Sequence, residues 1–193
     1  VSGPLYTKPK QDRRGDHLCT PPDVVQLVRN VGRGRIALDP CSNRWSIVGA
    51  EVELRRGGLE ADWRRLARGG LVYWNCPYSG GQIARWWDKA RREAERGVEH
   101  LGLLHCDTST AWYRDVLRHA AAVGYPPRIN FIDRGRILRG NQYAQLLVYQ
   151  GEHHYRFVDE CERLWAERVL TLRITGCGGG YGVWASRRGR RAA

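Results

Sequence analysis

Asn75-Cys76-Pro77-Tyr78 stands directly after the apolar run Leu71-Val72-Tyr73-Trp74. An amide side chain, a backbone stiffened by proline and an aromatic ring stand together there. The same four residues also make an ordinary turn, so the tetrapeptide takes its meaning from its surroundings. A second set is built of sulfur and imidazole. Cys19, Cys41, Cys76 and Cys106 all fall at the carboxyl ends of expected strands or in the segment that packs there, with His17 and His105 beside two of them. Thiolate and imidazole bind zinc, but zinc sites favour closely paired ligands and none occur here. They are read as small residues lining a tight site, and no metal is expected there. His153-His154 would need a further ligand nearby to bind a metal.

The elements that must carry these residues follow from pattern. Thr20-Pro21-Pro22-Asp23 opens a helix whose apolar face is Val24, Val25, Leu27 and Val28. Arg35 to Pro40 is a short apolar run stopped by Asp-Pro, a buried strand ending in a loop. Ala50–Leu54 and Leu71–Trp74 are the next strands. Gln82–Arg96 is a helix with Ile83, Trp86, Trp87 and Ala90 on one side, the Trp pair half in the core and half at the surface. His100–His105 is a strand. Thr110–Ala120 is a helix with Trp112, Val116 and Leu117 inward. Strands are expected around Val123, at Ile129–Ile132 and at Ala144–Tyr149, and a helix over His153–Val169. Alternating strands and helices imply an α/β fold with a mainly parallel sheet covered on both faces, and ligands bind beyond the carboxyl ends of such strands.

The chain has 193 residues, enough for one domain, and 42% apolar with 27% charged residues suits a packed core rather than disorder. No run approaches the roughly 18 apolar residues of a membrane span. Net charge is +12, which favours a polyanionic partner such as nucleic acid. The six cysteines form no C-x-x-C pair and are expected to be reduced thiols in a cytoplasm. Residues 1–16 form a polar arm, 17–150 the main domain, and 151–193 a helical extension with a Gly- and Arg-rich basic tail. That tail either meets phosphate or is a solvated end.

Asn75-Cys76-Pro77-Tyr78 resembles the N-P-P-Y motif of amino-methyltransferases, with Cys in the second position. Other segments follow in order. Thr20-Pro21-Pro22 resembles the T-P-P segment before the first strand, and Leu38-Asp39-Pro40-Cys41-Ser42-Asn43 stands where the first motif stands. Gly58-Leu59-Glu60-Ala61-Asp62-Trp63 matches a G-L-x-x-x-W approach to the catalytic strand. Thr108 to Trp112 resembles a T-x-x-x-W loop, and Arg134-Gly135-Arg136 a late G-R loop. Over roughly residues 16–150 the chain resembles the phage-type, Dam-like DNA adenine-N6 methyltransferases.

The resemblance implies a Rossmann-like, S-adenosylmethionine-dependent methyltransferase sheet with helices on both faces. It implies transfer of a methyl group from S-adenosylmethionine to N6 of adenine in DNA, by a monomer in a bacterial cytoplasm, encoded by a phage or prophage. An adenine amino nitrogen is a poor nucleophile because its lone pair is conjugated into the ring. The side-chain oxygen of Asn75 and the carbonyl of Cys76 would accept its two hydrogens and free that pair. Pro77 would fix the backbone, and Tyr78 would stack on the flipped base. Thr20, Pro21, Asp39, Pro40, Cys41 and Asn43 would contact the cofactor, Asp62 its adenine, and either Glu51 or Glu53 its ribose. Arg134, Arg136 and Arg139 would touch DNA, and the absence of a separate recognition domain implies a short target sequence. The same motif serves enzymes acting on cytosine N4, RNA adenine or a protein glutamine. A relative that binds DNA without turnover, or another nucleotide binder on the same sheet, stays open.

Overall fold

A computed structural model describes residues 16–165 and the backbone of residues 170–175 and 182–185. The arm before Asp16, the glycine run and the Arg-rich tail therefore fall largely outside the described residues. Among the described residues, eight strands form one sheet in the order β10-β9-β5-β8-β4-β3-β1-β2. They are β1 (Leu38–Asp39), β2 (Val52–Glu53), β3 (Val72–Trp74), β4 (His100–His105), β5 (Ala122–Tyr125), β8 (Gln145–Gln150), β9 (Leu170–Thr175) and β10 (Gly182–Ala185). Strands β2, β1, β3 and β4 run parallel. The expected last strand, β8, lies between β4 and β5 and is antiparallel to both. The sheet is thus mixed, with a parallel half and an antiparallel half. The run at Ile129–Ile132 does not join it: only Ile132–Asp133 (β6) is extended, paired with Arg136–Ile137 (β7) in a separate hairpin.

Alternation along the strands divides the core in two. Tyr73, Leu101, Leu103, Leu147 and Tyr149 point to one face, beneath α1 (Pro22–Val31) and α5 (His154–Trp165). Val72, Trp74, Leu104, Leu146 and Val148 point to the other. There they meet α2 (Trp63–Ala67), α3 (Gln82–Glu95) and α4 (Ala111–His119). Helix α1 begins with proline in its first turn, where a missing N–H costs nothing, and buries Val24, Val25, Leu27, Val28 and Val31.

The Trp pair departs from its half-surface expectation, since both rings are buried. Trp86 packs 6.2 Å from Trp63, and Trp87 donates from its indole nitrogen to Asp115 at 2.7 Å. Helix α4 turns Tyr113 and Val116 inward, while Trp112 and Leu117 sit at its flanks. Thr110 sets this phase: its hydroxyl accepts the Tyr113 N–H at 3.3 Å and so starts the helix at Ala111. No helix among the described residues is long and apolar enough to cross a membrane.

Trp74, the last residue of β3, is held by its neighbours. Its indole nitrogen donates to Nδ1 of buried His100 at 3.3 Å, and a Cβ on Gly102 of β4 would lie only 2.4 Å from its ring. Close approach of this ring therefore requires glycine, because neither the strand nor the buried indole can yield. Gly102→Ala is expected to destabilise the protein by about 1–3 kcal/mol, the usual cost of overpacking a core. Thermal or urea melts check this, and a wild-type midpoint would refute the tight fit.

Candidate active site

In the parallel half, the chain passes from β1 outward to β2 and then returns to β3 on the other side of β1. The strand order reverses between β1 and β3, and crevices for ligands form at such a point beyond the carboxyl ends. Asp39 closes β1 and Asn75 follows β3. A segment of chain, residues 16–20, crosses this edge and ties it together. Asn75 donates from its amide nitrogen to the Thr20 hydroxyl at 3.2 Å, and that hydroxyl also pairs with the buried Tyr73 hydroxyl at 2.8 Å. The amide oxygen of Asn75 is left facing the other way, where it accepts the Tyr78 hydroxyl at 2.8 Å. The same hydroxyl lies 3.0 Å from the Leu103 carbonyl. Asp16 accepts the main-chain N–H groups of Tyr78 and Ser79 at 3.1 and 3.2 Å, and so fixes the turn after Pro77.

Electrostatics at the neighbouring strand ends are unusual. Asp39 is 4% exposed, and no cation pairs with it among the described residues. Burial pushes its carboxyl up to about 7, against the opposing hydrogen bond from the Cys41 N–H. Glu53 stands beside it in register and adds like charge. Glu53 also accepts the Ser42 hydroxyl at 3.2 Å. Burial likewise pushes the Cys41 and Cys76 thiols well up, so both are neutral.

Two cavities flank the loop. One, of about 780 Å³, lies between Gly57–Glu60 and Pro77–Gln82, with Asp16 and Trp86 in its wall. Gly58 packs so closely on Pro40 that a Cβ would meet the Pro40 carbonyl at 1.8 Å. The other, of about 380 Å³, lies between Tyr78, His105, Trp112 and Tyr143. Here the His105 ring stacks on Tyr143 at 4.8 Å and meets Tyr78 at 3.8 Å. Burial lowers His105 to about 4, which leaves its imidazole neutral. A larger cavity of about 930 Å³ opens among Arg96, Arg118 and His153 and contains none of these residues.

Thr20, Asp39, Pro40, Cys41, Asn43 and Asn75 to Tyr78 are thus gathered at one edge. Asn43 accepts the Trp45 N–H at 2.9 Å and donates to the His17 carbonyl at 3.3 Å. Three of the expected residues have other partners or neighbours in the fold. Glu51 precedes β2 and pairs with Arg35 at 3.1 Å, so Glu53 is the carboxylate at the strand end. Asp62 caps α2 and pairs with Arg96 at 3.0 Å; the cavity wall comes from Gly57–Glu60 instead. Pro21 sits at the N-cap of α1 beside a different cavity, shared with Pro127 and Ile129. Arg136 is exposed on β7, and Arg139 is exposed just beyond it. Among the described residues no group of three or more His, Cys, Asp or Glu is placed to hold a metal. Sequence reasoning missed Asp16, because its partners lie 62 and 63 residues away and no local pattern marks such a contact.

An open α/β sheet with a polar loop and two cavities at its carboxyl edge is an arrangement in which proteins of the open-sheet class bind ligands. A family model described as DNA N-6-adenine-methyltransferase (Dam) matches residues 8–158, and the chain belongs to that family. No curated protein and no solved structure matches the chain.

Two outcomes follow from this geometry. A carboxyl raised in the folded state makes stability fall as pH rises from the unfolded value near 3.8 through about 7. Asp39→Asn should therefore stabilise the protein at pH 8, by up to about 4 kcal/mol, and change its stability little near pH 4. Equal melts at both pH values would contradict an ionised, unpaired Asp39. Asp16→Ala should slow methyl transfer at least about tenfold, since a misplaced loop costs rate steeply. Single-turnover kinetics read this loss, and a wild-type rate would show that the loop holds itself.

Proposed function

We propose that the protein transfers a methyl group from S-adenosylmethionine to N6 of adenine at a short DNA sequence. The observation that carries this reading is the oriented amide of Asn75, whose oxygen faces the loop while Thr20 occupies its nitrogen. That oxygen and the Cys76 carbonyl would accept the two amino hydrogens of the base. Acceptors fixed before the reaction stabilise positive charge growing on the nitrogen without reorganising. In this structure the Tyr78 hydroxyl occupies the Asn75 oxygen, so Tyr78 must yield it as the base enters. The 380 Å³ cavity supplies the aromatic walls of Tyr78, Trp112 and Tyr143 and the neutral imidazole of His105, with Asp107 also in its lining, a setting suited to an extruded base.

The cofactor is proposed to bind at the strand ends beside the other cavity, whose lining does not include Asp39 or Glu53. Asp39, a buried carboxylate with no cation paired to it among the described residues, would suit an ammonium group, and Glu53 at the next strand end a ribose diol. Leu59, Pro77 and Trp86 offer an apolar wall to a purine. When bound, S-adenosylmethionine supplies an electrophilic methyl group on sulfur. The strand order supports a Rossmann-like sheet, with β8 as its antiparallel insertion. Cys76 departs from the proline of the family motif, but its side chain is buried and its proposed role belongs to the main chain. The exposed arginines at 134, 136 and 139 are proposed to meet DNA phosphate.

Incubation with unmethylated DNA and S-adenosylmethionine, followed by mass spectrometry of the digested nucleosides, is expected to yield N6-methyladenine. Asn75→Ala should cut turnover by a factor on the order of 10² to 10³, as loss of a preorganised group does, and leave cofactor affinity nearly intact. N4-methylcytosine would move the reaction to another base. Equal loss of turnover and cofactor affinity would remove the role assigned to Asn75.

A further inference from the structure

Trp45 is the meeting point of three segments that sequence reasoning kept apart. Its N–H is capped by Asn43, which follows β1. Its ring lies under the Arg44 guanidinium at 4.0 Å and near that of Arg134, from the β6–β7 hairpin, at 5.4 Å. His17, from the crossing segment, meets the ring edge-on at 5.9 Å and pairs with Asp133 of the hairpin at 2.9 Å. Arg44 is exposed and has no carboxylate partner among the described residues. Arg134 is 67% exposed, and its contact with Asp133 is long, at 3.8 Å. Two cations are thus drawn to one aromatic ring, at the edge that carries Asn75, with their donors left to solvent.

We propose that Arg44 and Arg134, positioned by Trp45, form one clamp for the phosphate backbone of the DNA strand being methylated. Arginine offers a planar fork of donors that matches phosphate, and an aromatic face satisfies the cation without using those donors. A guanidinium already laid on a ring loses less freedom when it binds, so both arginines are preorganised. Because Asn43 holds the Trp45 N–H beside the end of β1, the clamp is tied to the loop that follows Asp39. The hairpin, joined through Arg134 and the His17–Asp133 pair, is fixed against the same loop. The proposal rests on DNA being the substrate and assigns its contact to Arg44 and Trp45, with Arg134 as a partner rather than an independent surface charge.

Anisotropy of a labelled duplex across a range of potassium chloride concentrations tests it, using the full-length protein. Each phosphate contact contributes about 0.9 to the steepness of the logarithmic salt dependence. Arg44→Gln and Arg134→Gln should each weaken binding by roughly tenfold at low salt and make that dependence shallower by about one. Trp45→Leu should reproduce much of both losses, Trp45→Tyr should retain most of the binding, and Arg44→Gln should add little once Trp45 is Leu. Cofactor affinity by calorimetry should stay at the wild-type value. If the wild type binds DNA while Arg44→Gln keeps the wild-type affinity and salt dependence, the clamp is wrong. Additive effects of the Arg44 and Trp45 changes would also overturn it. Should Trp45→Leu fail to fold, the two exposed arginine variants still decide. A wild type that does not bind DNA would instead overturn the substrate reading.

Discussion

The hydrogen bond between the Asn75 amide and the Thr20 hydroxyl is the contact on which the site depends. It joins the end of β3 to a segment 55 residues earlier in the chain, and Tyr73 secures Thr20 from below. An asparagine side chain can present either an oxygen or a nitrogen to a ligand. Occupying its nitrogen leaves the oxygen as the outward group, and an acceptor is what an amino nitrogen needs. Asp16 acts on the same loop from the other side, through two main-chain N–H groups. The site is thus an exit loop of the sheet pinned at both ends by residues 16–20.

The strand end beneath this loop is closely packed. Trp74 precedes Asn75 and is wedged between His100 and the bare backbone of Gly102. The Trp63–Trp86 contact continues the same packing to α2 and α3. Closely packed interiors transmit displacement rather than absorb it, so a shift of Trp74 would carry to the acceptor oxygen. In the proposed reaction, which needs no prior proton removal, such packing would serve positioning.

Stability is spent at the carboxyl edge. Asp39 is buried with no cation paired to it among the described residues, and its raised proton affinity means that the ionised form is disfavoured in the fold. A group held in that state gains most when a positive ligand arrives. Tyr78 shows a related tension. Its hydroxyl occupies the Asn75 oxygen, the acceptor proposed for the substrate amino group.

Much of this was legible in the chain itself. The order of apolar runs, the Pro-initiated α1 and the Asn75–Tyr78 turn after a strand were all readable, because strand alternation, helix periodicity and proline geometry act over a few residues. So were the Thr20, Asp39 and Asn75 segments as parts of one edge, since parallel strands bring their carboxyl ends together. Pairing across long separations was not readable. Glu51 and Glu53 share one strand face, and only the register of β1 with β2 sets Glu53 beside Asp39. Asp62 has the composition of a ligand contact, yet the start of α2 and the approach of Arg96 make it a helix cap. The antiparallel setting of β8, the reach of Asp16 to Tyr78, and the gathering of His17, Arg44 and Arg134 at Trp45 were decided by tertiary structure. Each depends on which surfaces meet when two apolar faces of one sheet are covered, and no local pattern encodes that choice.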